Sequence, residues 1–340
     1  MGPAAQMGPV GSVPGMRALQ VISPTGPSGV DVTEVDEPTP GQGEVLVEVH
    51  RVGLSFPDLL LSRGDYQLKP EPPFTLGVDV AGTVVAVGEE VTRFAVGDRV
   101  AGVLPHGGAA ELVVVPEAFT FALPEQVSFD AGAAIPMNYL TAHFALVERG
   151  GLQEGETVLV HGAAGGVGTA TLQVARGLGA RTIGVVSTEE KAEVARRVGA
   201  DEVVLLEGFK DAAAAVTDGR GVDIVVDMVG GEVFLDSLRL LAPQGRILVV
   251  GFAAGQGIPE VRVNRLLLNN TDVRGVGWGA YAMVRPAFMA EQWEALLPMI
   301  TSGVIDPPIG ATYDLAEAAR ALTDLDERRT LGKSLLRVRS

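Results

Sequence analysis

The stretch HGAAGGVGTATLQVARGLGARTIGVVSTEEKA, His161 to Ala192, restricts the architecture more than any other part of the chain. An apolar run, TVLV, leads into a glycine-rich turn. Val167, Ala170, Thr171, Val174 and Leu178 then recur at helical spacing, and TIGVVS reads as a second strand. A strand, a crossover helix and a parallel strand bury their apolar residues only within a larger sheet that has helices on both faces. The turn meets the dinucleotide fingerprint G-x-G-x-x-G as A-x-G-x-x-G, through Ala163, Gly165 and Gly168. Gly165 lets backbone amides approach a pyrophosphate, Gly168 permits close helix–strand packing, and the helix turns its amino end toward the anion. Ala163, Ala164, Gly165, Gly166, Val167 and Gly168 are therefore the expected diphosphate-binding loop.

The end of the second strand bears on the choice of cofactor. A carboxylate there accepts from both hydroxyls of an adenosine ribose and selects NAD. This chain has Ser187 instead, with Lys191 four residues on. A hydroxyl donates to a 2′-phosphate and an ammonium adds a point charge, so the pair reads as a site for NADPH. Two other readings of these residues stay open. Ser187-Thr-Glu-Glu190 also matches a capping box, which would leave Lys191 a solvated helix residue, and Glu189 taken as a displaced ribose acid would give NAD. The strand end itself lacks an acid and both glutamates fall in the first turn of the next helix, which favours NADPH.

With 340 residues the chain has room for two domains, and 47% apolar against 20% charged residues is a globular composition. The net charge of −16 argues against a nucleic-acid partner, because binding a phosphate backbone needs clustered Lys and Arg. Cysteine is absent, which excludes disulfides, thiolate zinc sites, iron–sulfur clusters and a catalytic thiol, and fits a cytoplasmic location. No run is long and apolar enough for a membrane span. Residues 1–15, MGPAAQMGPVGSVPG, lack the basic start and apolar run of a signal peptide and are expected to form a disordered extension.

Upstream of the glycine-rich unit, EVLVEVHRVGL, DVAGTVVAVG, GDRVAGVL and AAELVVVP are strand-like runs punctuated by Gly and Pro, which predicts a partly open β-barrel. After Tyr139 the chain alternates strand and helix, with helices ending near Leu178 and Val198 and another around Leu235 to Leu241. DVRGVGWG at 272–279 reads as a further strand, AFMAEQWEALLPMITSGVI as an amphipathic helix returning to the first lobe, and TLGKSLLRV as a last strand.

GAAGGVG, LSFPDLLLSRGDY, PPFTLGVDVAGTVVAVG, GDRV, YLTAHFAL, EKAEVARRVGAD and LGKSLL, in this order, give a chain that resembles the zinc-free medium-chain dehydrogenases and reductases, in the NADPH:quinone oxidoreductase, or zeta-crystallin-like, branch. The resemblance implies an α/β fold with a GroES-like barrel lobe and a Rossmann doubly wound lobe. Their expected extents are 16–136, completed by 280–340, and 137–279. It also implies a homodimer joined through the Rossmann lobes. Zinc-containing relatives carry cysteines and a His-Glu pair; here Val78 and Asp79 stand where that pair would be, and His50, His106, His143 and His161 have no ligand spacing, so no metal is expected.

Carried over by position, Tyr66 lines the active site and hydrogen-bonds a developing oxyanion, Asp58 matches an acid in the same loop, and Ser55 stands where quinone reductases usually have Asn. The shorter serine would make a weaker orienting hydrogen bond. Asn138 and Thr141 fall near the diphosphate and nicotinamide, Val229 is a further cofactor contact, Gly251 and Phe252 flank the ribose and nicotinamide, and Arg328, with Lys333 close by, falls near the 2′-phosphate. Without zinc to polarise an oxygen, the expected acceptor is already electrophilic, a quinone or an α,β-unsaturated carbonyl. The alternatives are an enoyl-thioester reductase and an NADPH-binding protein without turnover.

Overall fold

The computed structural model describes residues 15–339. The extension expected over 1–15 lies outside these residues except for Gly15, which opens the first strand.

Alternating valines build the first lobe. In β3 (Glu44–Leu54), Val45, Val47 and Val49 point inward between polar or partly exposed neighbours, the period of a half-buried strand. It follows β1 (Gly15–Val21) and β2 (Val30–Asp36) and precedes β4 (Phe74–Thr75), β5 (Asp79–Val87), β6 (Arg99–Val103), β7 (Leu112–Pro116) and β8 (Thr120–Ala122). A helix, α1 (Phe56–Arg63), interrupts this β-rich region where the sequence reading placed none. Its signals are local: Ser55 and Asp58 form a capping box, proline sits in the first turn, and Gly64 closes the helix in the left-handed conformation.

Two helices, α2 (Phe129–Ala134) and α3 (Pro136–His143), lead into the second lobe. There the chain alternates β9 (Thr157–His161), α4 (Gly166–Gly177), β10 (Arg181–Val186), α5 (Glu189–Arg197), β11 (Glu202–Leu205), α6 (Phe209–Val216), β12 (Val222–Asp227), α7 (Glu232–Leu240), β13 (Leu241–Val249), α8 (Asn264–Asn269) and β14 (Asp272–Gly275). The strands form a six-stranded parallel sheet in the order β11-β10-β9-β12-β13-β14, with the order reversing at β9. That reversal opens a crevice at the carboxyl ends of the strands. Two expectations need correction here. Leu241 starts β13 rather than ending a helix, and β14 stops at Gly275, so Trp278 opens a new helix, α9 (Trp278–Ala282).

The long helix α10 (Pro286–Thr301) bridges the lobes: Trp293 stacks on Phe121 of β8 with ring centroids 4.8 Å apart, inside a core that both lobes share. The chain then returns through β15 (Ile309–Asp314), α11 (Ala318–Asp326) and β16 (Lys333–Arg337). β16 pairs antiparallel with β3, completing a seven-stranded sheet in the order β15-β16-β3-β5-β6-β8, with β7 also on β3. Among the described residues no helix is long and apolar enough to cross a membrane.

Candidate active site between the lobes

The glycine-rich loop sits at the carboxyl end of β9. Gly162 takes a φ of 62°, so it supplies the left-handed turn, and the fingerprint's first place can hold Ala163, whose methyl packs beside Gly184 of β10. Gly165 caps α4 in an extended conformation and no side chain caps this end, which leaves first-turn amides to an anion. At Gly168 an added Cβ would stand 2.1 Å from the Gly162 carbonyl oxygen, so glycine is obligatory for this close approach. Asn138 lies directly on the start of α4: its Nδ2 is 2.5 Å from where a Gly166 Cβ would be. Thr141 follows one turn later in α3, and both side chains are buried.

The neighbouring strand ends complete the crevice. Val229 and Met228 flank Gly162, and Asp227 Oδ1 accepts from the Val229 and Gly230 amides at 2.8 and 2.9 Å. The amides of Ala253 and Ala254 donate to the carbonyls of Met228 and Val229, which sets Gly251 and the half-exposed Phe252 beside this turn. Ser187 is exposed just past β10. Thr188, not Ser187, caps α5, its hydroxyl accepting from the Lys191 amide at 3.3 Å, so the capping box read over Ser187–Glu190 does not form. Lys191 Nζ donates to the Arg328 carbonyl at 3.1 Å, and Arg328 donates in turn to the Ala253 carbonyl at 2.6 Å. Ser187 and Lys191, four residues apart, therefore share one edge of the crevice with Arg328, which lies 137 positions beyond Lys191. Burial, then the Arg328 charge, lower the Lys191 pKa, and Glu190 opposes them. Two cations held this close suit a doubly charged anion.

On the catalytic side, Ser55 caps α1 and Asp58 closes the box. Asp58 Oδ2 accepts from the Ser55 amide at 2.9 Å and Oδ1 from the Gly77 amide at 3.0 Å. Both carboxylate oxygens are thus committed to backbone, and Asp58 supports the loop from complete burial instead of facing a substrate. Burial pushes its carboxyl up to about 7, against the pull of those amides and of Lys333. Tyr66 is half-buried on the first-lobe core near Asp58, and burial followed by the Asp58 charge raises its pKa.

The expectation for Lys333 is overturned. Its side chain is only 3% exposed and turns away from the Lys191–Arg328 edge into the first lobe, because the register of β16 on β3 pairs Ser334 with Leu54 and so brings Lys333 against Ser55. Lys333 Nζ donates to Ser55 Oγ and to Asp79 Oδ2, both at 2.6 Å, and Ser55 Oγ donates to Asp79 Oδ2 at 3.1 Å. The other carboxylate oxygen, Asp79 Oδ1, accepts from the Met137 amide at 2.8 Å. Burial raises the Asp79 pKa and the Lys333 charge opposes the rise.

This network touches the cofactor loop twice through the backbone. Gly332, directly before Lys333, donates to the Ala164 carbonyl at 2.8 Å, and Met137 directly precedes Asn138. In the sequence Asp79 stands out only as a departure from the zinc-family His-Glu pair; the further signal is an acid inside the apolar run GVDVAG, which folding must bury and pair. Among the described residues no group of three or more His, Cys, Asp or Glu side chains gathers as a metal site.

Comparison with known proteins places the chain in a family. The family pattern described as "Alcohol dehydrogenase GroES-like domain" matches residues 41–125, and "Zinc-binding dehydrogenase" matches 166–302. The chain is 39% identical over 309 residues to the bovine (Bos taurus) quinone oxidoreductase-like protein 2, covering 90% of this chain and 88% of that protein. It is 37% identical to a quinone oxidoreductase of Pseudomonas aeruginosa, covering 94% and 99%. A mycobacterial structure solved in complex with NADPH superposes with a TM-score of 0.88 at 34% identity, covering 95% of this chain and all of that one, 100%.

Proposed function

The chain belongs to the medium-chain dehydrogenase/reductase superfamily, in its quinone oxidoreductase branch, and from that premise we propose that this NAD(P)H oxidoreductase reduces a quinone or an α,β-unsaturated carbonyl with NADPH and without zinc. The observation that carries the cofactor choice is the shared edge of Ser187, Lys191 and Arg328 at the end of β10, where a ribose carboxylate is missing. The relative bound to NADPH supports it.

When bound, the dihydronicotinamide supplies the hydride. The residues of this chain do the rest. The uncapped start of α4 and the Gly165–Gly168 turn hold the diphosphate, with Asn138 and Thr141 alongside. Val229, Gly251 and Phe252 form the wall for the ribose and nicotinamide. Lys191 and Arg328 receive the 2′-phosphate. Ser55 and Tyr66 face the acceptor and offer hydroxyls to the oxygen on which charge develops. A conjugated acceptor spreads that charge, so two hydroxyl donors can serve where an unconjugated carbonyl would need a Lewis acid. A homodimer is part of this reading: β14 ends the six-stranded sheet with an open edge, and Val263, Leu267 and Leu268 nearby are exposed at 71%, 77% and 74%.

The test follows the loss of NADPH or NADH absorbance with p-benzoquinone and with cyclohexenone. NADPH is expected to be preferred, and Lys191→Ala is expected to weaken NADPH binding about tenfold, about 1.4 kcal/mol, while leaving NADH unchanged. Preference for NADH in the unmodified protein would overturn the cofactor assignment. NADPH binding without oxidation by either acceptor would overturn the reaction.

A further inference from the structure

The buried Lys333–Ser55–Asp79 triangle is more than a structural ion pair requires. A lysine that serves only to neutralise an aspartate needs no hydroxyl between them, yet Lys333 Nζ lies 2.6 Å from Ser55 Oγ as well as 2.6 Å from Asp79. Ser55 thus accepts a charge-assisted hydrogen bond from the ammonium while its own hydrogen rests on Asp79 at a longer 3.1 Å. That longer bond is the weakest side of the triangle, and the hydrogen it holds is the one free to turn to another acceptor.

Resting on the reading that Ser55 faces the acceptor, we propose that Lys333 is a positioning residue for proton delivery, acting through Ser55 on the acceptor oxygen. Hydride uptake brings two electrons to the acceptor and leaves a negative charge on that oxygen. Ser55 gives its O–H proton to the oxygen, and a Lys333 N–H bond breaks as its proton moves to Ser55 Oγ. Neutral Lys333, beside Asp79, regains a proton from water when the product leaves. The acceptor gains one hydride and one proton, and no other reductant is needed. Asp79 holds the triangle together: it orients Lys333 with one oxygen and, with the other, fixes Met137 at the start of the helix that carries Asn138 onto the cofactor loop. The charged groups nearest Lys333 are the buried carboxyl groups of Asp79 on β5 and Asp58 on α1. This arrangement answers the departure at position 55, since an ammonium behind the hydroxyl makes the short serine a stronger donor than serine alone.

The test uses the full chain with NADPH bound and reads three quantities for Ser55→Ala, Lys333→Met and the double variant. With p-benzoquinone and cyclohexenone, each single variant is expected to lose about a hundredfold in kcat, the scale of a positioned proton donor, and the double variant no more than either single one. The NADPH dissociation constant by fluorescence titration is expected to stay within about twofold. The third readout is p-nitrophenol bound to the NADPH complex: the unmodified protein is expected to hold it as the yellow phenolate below its ordinary pKa, and both single variants to abolish that shift. Losses that multiply in the double variant, or NADPH binding lost along with kcat, would make the triangle structural and overturn the relay. An unchanged kcat in Lys333→Met would do the same while leaving the proposed function standing. If Lys333→Met does not fold, Ser55→Ala alone decides through the phenolate band, whose persistence would sink the proposal. An unmodified protein that binds NADPH but reduces neither acceptor removes the function and the relay together.

Discussion

The cofactor loop and the Ser55–Asp79–Lys333 cluster touch through the Gly332–Ala164 hydrogen bond, yet they are built from different materials. The loop is contiguous, His161 to Gly168, and its working groups are backbone amides shaped by glycines. The cluster gathers side chains from residues as far as 278 positions apart and works through charge. The first site therefore tolerates almost no added volume, and the second almost no unpaired charge.

Three experiments press on that contrast. The largest effect is expected at the ion pair. Asp79→Leu leaves an ammonium buried and unpaired and is expected to cost about 3–5 kcal/mol by denaturant unfolding, whereas Asp79→Leu with Lys333→Met is expected to recover most of it. A double variant as unstable as the single would show that volume, not charge, governs this side as well.

Next comes pH, where the two lobes are expected to respond in opposite directions. Burial depresses His161, in the second lobe against Ser237, from 6.5 to about 4. Its contribution is complete above pH 6.5 and lost as pH falls toward 4, about 3 kcal/mol in all. Asp58 is raised to about 7, so its contribution is complete below pH 3.8 and declines as pH rises to 7. Calorimetric melting temperatures across this range are expected to show a shallower acid loss for His161→Gln and a shallower loss toward neutrality for Asp58→Asn, each relative to the unmodified protein. Parallel profiles would refute the assigned shifts.

The smallest effect is steric. Gly168→Ala places a methyl against the Gly162 carbonyl and is expected to weaken NADPH binding about thirtyfold, about 2 kcal/mol, in the same fluorescence titration. Unchanged binding would mean the turn relaxes freely and the loop is not the rigid element described.

These differences also explain what reading the chain could reach. The βαβ unit, the parallel alternation and the valine-rich barrel strands were legible because each follows from neighbours a few residues apart. The α1 helix was missed although Ser55, Asp58 and Gly64 signal it, because its apolar residues sit among strand-like runs. Asn138, Val229 and Phe252 are expected at the cofactor by resemblance alone, and the structure sets them beside the loop and the neighbouring turn at Gly230. Lys333 was misplaced because a terminal lysine is ordinarily solvated, and nothing local marks this one as buried.

By itself the sequence determined the cofactor loop, the two-lobed α/β plan and the absence of thiol chemistry, since all three depend on residue types and short-range backbone geometry. Only the tertiary structure decided where the buried charges meet. The chain returns from the second lobe to lay β16 on β3, and that register puts Lys333 between Ser55 and Asp79. A buried charge must find a counter-charge, but which one it finds is set by topology, because electrostatic attraction acts through space and takes no account of distance along the chain.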